Sequence, residues 1–115
     1  IDYGREKGVH IIEIEECMAR GWTSGMEEGR AVVGDAPSYV SFDIDFVDPA
    51  YAPGTGTPEV GGPTSFEALQ CVRALRGLDI IGTDLVEVSP PFDPSGGTCW
   101  LGVSVMFELI CAMER

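Results

Sequence analysis

Residues 41–49, SFDIDFVDP, most constrain what this chain can fold into, because an apolar run ends there in three carboxylates, Asp43, Asp45 and Asp48. Read as a strand, the run places alternate side chains on one face, so Asp43 and Asp45 are expected on the same side, roughly 6 to 7 Å apart along the strand. Unpaired carboxylates at the end of a buried strand cost several kcal/mol of desolvation each unless a cation or strong donors neutralise them. The motif therefore predicts a positive partner, and a pair of hard cations suits its geometry.

The surrounding pattern reads as α/β. Residues 9–14 form a short β-rich apolar run, and residues 15–21 carry helix formers with Gly21 as a stop. Ser24, with Glu27 three residues on, offers a capping box for a second short helix over 23–30, broken by Gly34, Asp35 and Pro37. Residues 39–46 read as a buried strand, residues 78–88 repeat the style, and a helix over 65–76 lies between them, as expected for a parallel sheet covered on both faces. Residues 98–113 read as a helix apolar on more than one face, hence buried or in an interface. In such architectures ligand sites gather at the carboxyl ends of strands, where Asp43, Asp45 and Glu87 all stand. The Pro- and Gly-rich stretch 47–63 is longer than most connections and is expected to be functional or mobile.

Composition narrows the partners. Seven Lys and Arg against 19 Asp and Glu give a formal charge of −12, which argues against a nucleic-acid backbone or an anionic membrane and favours cations. The 115 residues, 44% of them hydrophobic, suffice for one domain at most with its own core. Cys17, Cys71, Cys99 and Cys111 contain no C-x-x-C and read as reduced, mostly core thiols. No long uncharged apolar run and no secretory layout at residues 1–8 occur, so a cytoplasmic setting is expected, with any targeting segment upstream. The chain enters a predicted strand almost at once after Ile1, as a piece of something longer would.

Single motifs are weak here. An EF-hand needs glycine at loop position six and glutamate at twelve, where this sequence has Asp48 and Gly54. The D-x-D-x-V string at 43–47 also matches haloacid-dehalogenase-like phosphatases, but these use a downstream lysine and Lys7 is the only one. Asp48 before Pro49 reads as a turn or cap, and His10 as a satisfied core histidine. Gly54, Gly56, Gly61 and Gly62 read as backbone freedom rather than a phosphate cradle, since no GK[ST] or GxGxxG follows.

Three ordered motifs together are far more specific. SFDIDFVDP at 41–49, APGTGTPEVGG at 52–62 and DLVEVSPPFD at 84–93 resemble the ureohydrolase family, which includes arginase, agmatinase, guanidinobutyrase and guanidinopropionase. PGTGTPEVGG leans towards the last three. The resemblance implies the three-layer α/β/α arginase-like fold with a parallel sheet, of which residues 1–115 would be the C-terminal part of a single domain. It implies two Mn²⁺ per subunit of the complete protein, or Ni²⁺, with Asp43 at the position that bridges the ions and Asp45 as the neighbouring ligand. It further implies hydrolysis of a small guanidino substrate to urea and an amine by a metal-bridging hydroxide, in a protein that is a homo-oligomer when complete. Glu87 matches the glutamate that holds the guanidinium through two charge-assisted hydrogen bonds, with Thr57 supporting that contact. The GGDH-like and D-A-H-x-D-like clusters that would bring the remaining ligands occur nowhere in the sequence, so the segment alone is expected to be inactive. The alternative is a non-catalytic subunit or truncated chain that assembles with a complete relative through its apolar last helix.

Overall fold

The computed structural model describes residues 1–114. Along the chain run α1 (Asp2–Glu6), α2 (Ile14–Arg20), α3 (Trp22–Val33), β1 (Ser38–Asp43), α4 (Ser65–Arg73), β2 (Ile80–Val86) and α5 (Gly97–Met113). The two strands pair in parallel, with Tyr39 opposite Gly82, Phe42 opposite Leu85 and Asp43 opposite Val86. A parallel pair needs a crossover, and α4 supplies it. A capping box starts that helix: the Thr64 hydroxyl accepts the Glu67 N–H at 3.2 Å, and the Glu67 carboxylate accepts the Thr64 N–H at 2.8 Å. At its other end the Arg30 guanidinium, reaching from α3, donates to the carbonyls of Ala74 and Arg76 at 2.7 and 2.6 Å. Those carbonyls lie just past the last turn of α4, where a helix leaves acceptors unpaired.

One face of the sheet carries the core. Val40, Phe42 and Leu85 meet Ala68 and Val72 of α4 and Leu101, Val105 and Leu109 of α5, joined by Ile44, Val47 and Ala52 just beyond β1. Phe46 extends this cluster edge-to-face against both Phe42 and Trp22 of α3. On the opposite face Ser41 and Tyr39 donate to the two oxygens of Asp84 at 2.6 and 2.8 Å, a cross-strand clasp that fixes the register. Tyr39 and Ser41 stay exposed, so the expected cover on both faces is met on one only.

Several expected boundaries move. Residues 9–14 form no ladder: the Val9 N–H bonds the Gly4 carbonyl at 2.9 Å, and α2 already begins at Ile14. A β-rich run without a neighbouring strand has nothing to pair with. Helix α3 starts at Trp22 behind Gly21, leaving the Ser24 capping box unused. His10 is no core residue but an exposed one, 2.6 Å from Glu28, which also takes Arg20 at 2.5 Å. All four cysteines are free; Cys17 and Cys71 are buried, and burial pushes the Cys71 thiol up to about 11. Among the described residues no helix is long and apolar enough to cross a membrane.

Helices α4 and α5 are tied by Arg73, whose Nε and Nη2 donate to Glu108 Oε1 at 2.8 and 2.5 Å. That hydrogen bond holds the Glu108 carboxyl below its usual value. A depressed folded-state pKa adds stability that is present above the unfolded value and lost as pH falls through the folded one. The difference in melting temperature between the wild type and Glu108→Gln should therefore be full at pH 7 and close as pH drops below about 4, the ordinary glutamate range. Circular dichroism melts across that window check it. In the core, Leu109→Ala should cost about 2–5 kcal/mol in denaturant unfolding.

Candidate functional site

Because β1 and β2 run parallel, their carboxyl ends stand side by side. Asp43 lies opposite Val86, so Glu87 follows directly beyond the last pair of the ladder. The strand does not carry both aspartates. Asp43 Oδ1 accepts the N–H of Asp45 at 2.9 Å and turns the chain into a 3-10 turn over Ile44–Phe46, which Val47 closes through the Ile44 carbonyl at 3.1 Å. An aspartate that bonds the amide two residues on competes with ladder pairing, which is why the strand stops at this point. The two carboxylates thus sit on a bend, Asp43 exposed and Asp45 half-buried, and not on one strand face.

Asp45 is held by the Gly-rich loop. The Thr55 hydroxyl donates to Asp45 Oδ1 and the Thr57 hydroxyl to Oδ2, so both oxygens of the carboxylate are engaged. Thr57, read from the sequence as a support for Glu87, therefore serves Asp45 directly. Thr55, only 3% exposed, escaped the sequence reading, although the paired hydroxyls of the GTGT string at 54–57 are the signal for it. Asp48 caps the same loop, accepting the N–H groups of Ala50 and Gly61 at 2.8 Å each, and the Ala50 amide in particular draws its carboxyl below the ordinary range.

Glu87 is the only non-glycine among the described residues with positive φ, at 65°. Such a conformation costs on the order of 1–3 kcal/mol and persists only where neighbours over-determine it. Here the two residues that follow are tied to the Gly-rich loop: Val88 bridges antiparallel to Thr55, and the Ser89 N–H bonds the Gly54 carbonyl at 2.8 Å. The turn takes Glu87, which is exposed, out of the strand's alternation at the point where β2 ends.

The donor chemistry is oxygen-rich and suits hard divalent cations. Among the described residues, however, no group of three or more His, Cys, Asp or Glu could hold a metal ion. Asp43 and Asp45 fit as part of such a donor set and do not complete one.

The profile of the arginase family matches residues 1–112. Guanidinopropionase from Pseudomonas aeruginosa is 55% identical over 113 residues, which cover 98% of this chain and 36% of that protein. Guanidinobutyrase from the same organism is 47% identical over 112 residues, covering 97% of this chain and 35% of that protein. The solved structure of proclavaminate amidino hydrolase from Streptomyces clavuligerus superposes with a TM-score of 0.93 at 42% identity, over 97% of this chain and 37% of that one. The chain thus spans little more than a third of the length of these relatives. With the match running almost end to end, and the parallel pair and its crossover helix superposing with it, the chain belongs to the arginase family.

Proposed function

We propose that this chain is part of a hydrolase of guanidino compounds, in which Asp43 and Asp45 are metal ligands and Glu87 holds the guanidinium of the substrate. The observation that carries the reading is the meeting, at two adjacent strand ends, of a clasped pair of aspartates and a glutamate in a strained backbone conformation. Divalent cations, Mn²⁺ or alternatively Ni²⁺, would supply Lewis-acid polarisation and an acidified water when bound. The chain's own residues have distinct tasks. Asp43 keeps Oδ1 on the Asp45 amide, which fixes the plane of its carboxylate and leaves Oδ2 for a ligand. Thr55 and Thr57 hold both oxygens of Asp45, so its orientation is set before anything binds.

Glu87 offers a planar carboxylate to a planar guanidinium, the geometry for two parallel charge-assisted hydrogen bonds. Such a pair orients the guanidinium carbon and compensates its charge. Guanidinobutyrate, guanidinopropionate and agmatine share that end; the groups that read the other end lie mostly outside this chain. The remaining metal ligands would come from the rest of the complete protein, since the chain spans only 36 and 35% of the two relatives' length.

A second reading draws on one flank of α5. Trp100, Val103, Phe107 and Ile110 are 72, 59, 65 and 60% exposed, a stripe of large apolar side chains that a stable protein covers. It supports assembly with further protein, as the rest of the same domain or as a complete relative in an oligomer.

The 115-residue chain alone should release no urea from any of the three guanidino compounds with Mn²⁺ or Ni²⁺ added; turnover by the isolated chain would refute the division of ligands. In the complete protein that carries it, Asp43→Ala and Asp45→Ala should each lose metal and activity, read by metal analysis after dialysis. Glu87→Gln should keep its metal and melting temperature while kcat/KM falls roughly 30-fold or more, the effect of removing one partner of a desolvated charge pair. Near-wild-type hydrolysis by that variant would remove Glu87 from the substrate site.

A further inference from the structure

The loop that carries Thr55 and Thr57 is fastened at Gly54, and the fastener belongs to a helix, α5. The Gly54 N–H donates to Thr98 Oγ1 at 2.9 Å, in the first turn of α5. Thr98 is completely buried. Asp93, 6% exposed, accepts the N–H groups of Thr98 and Cys99 at 3.1 and 2.8 Å, so it closes the start of α5.

The carbonyl of Gly54 is committed too, to the N–H of Ser89, two residues beyond Glu87. One glycine therefore ties α5 on one side to the end of β2 on the other. The approach is close: a Cβ at position 54 would lie 2.5 Å from Asp93 Cβ and 2.8 Å from Thr98 Oγ1, so no other residue fits without displacing the loop. The next residue, Thr55, both bridges Val88 and bonds Asp45.

We propose that Thr98 is a positioning residue of this site: from the first turn of α5 its hydroxyl fixes Gly54, and Gly54 sets both the loop that holds Asp45 and the turn at Glu87. The catalytic consequence rests on the function proposed above, whereas the mechanical coupling does not. Packing and positioning make opposite demands on the side chain. Valine keeps the shape of threonine but leaves the buried Gly54 N–H without an acceptor; serine keeps the hydroxyl and loses a methyl group.

The test compares Thr98→Val and Thr98→Ser in the complete protein that carries this chain, by urea release from guanidinobutyrate, metal content, and hydrogen exchange over residues 53–58 and 86–90. Thr98→Val is expected to lower kcat/KM about 10-fold or more, in the range that a small misplacement of reacting groups produces. The same variant should speed exchange at the Thr55 and Ser89 amides, while Thr98→Ser stays within about 3-fold of wild type in both readouts. Serine as impaired as valine, or valine equal to wild type, overturns the proposal. Should Thr98→Val fail to fold, Gly54→Ala must reproduce the pattern, because its Cβ pushes the loop off Asp93 and Thr98 while the threonine itself stays in place; wild-type exchange and kinetics in that variant overturn the proposal as well. If the wild type itself releases no urea, the proposed function fails, and the exchange at Thr55 and Ser89 still decides the coupling.

Discussion

The parallel pairing of β1 with β2 is the constraint on which everything else depends. It brings two strand ends together that are more than forty residues apart in sequence, and it forces the chain to cross over through α4. A single-residue slip of β1 against β2 would exchange the faces of β1, burying Tyr39 and Ser41 and exposing Phe42. The register is therefore held twice over. Apolar contacts with α4 and α5 hold it on one face, and the clasp of Ser41 and Tyr39 on Asp84 holds it on the other. The Asp84 carboxyl lies below its ordinary range, chiefly through the Ser41 hydroxyl, so the clasp is charged at neutral pH.

Beyond the strand ends, acidic groups are handled locally. The chain carries −12, yet Asp45, Asp48, Asp84 and Asp93 each sit within hydroxyl or backbone N–H donors rather than against cations. Donors of that kind fix a carboxylate's orientation without cancelling its charge. An anionic surface with fixed planes is the kind of surface on which a cationic group can be bound in one orientation, and this is the property that the proposed function uses.

How much of this is legible in the sequence follows from range. The helices of residues 65–73 and 97–113 and the two strands are visible because apolar runs bounded by turn residues are local signals, whereas the Thr64–Glu67 capping box emerges only in the structure. The strand expected over residues 9–14 shows the limit: its residues favour strand, but a ladder also needs a partner, and partners are not local. The same limit separates the site residues. Asp43, Asp45 and Glu87 stand in motifs that can be read, while the engagement of Thr57 with Asp45 instead of Glu87, and the presence of Thr55 at all, depend on how the loop folds back. Asp43 adds a subtler case, since its carboxylate ends the very strand that was expected to present it.

The left-handed backbone at Glu87 sets stability and function against each other at one position. Glycine there would adopt φ near 65° without strain, so the folded chain would gain on the order of a kcal/mol while losing its carboxylate. Stability alone would thus favour glycine or asparagine at residue 87, and the carboxylate that the proposed function places there comes at the cost of that strain.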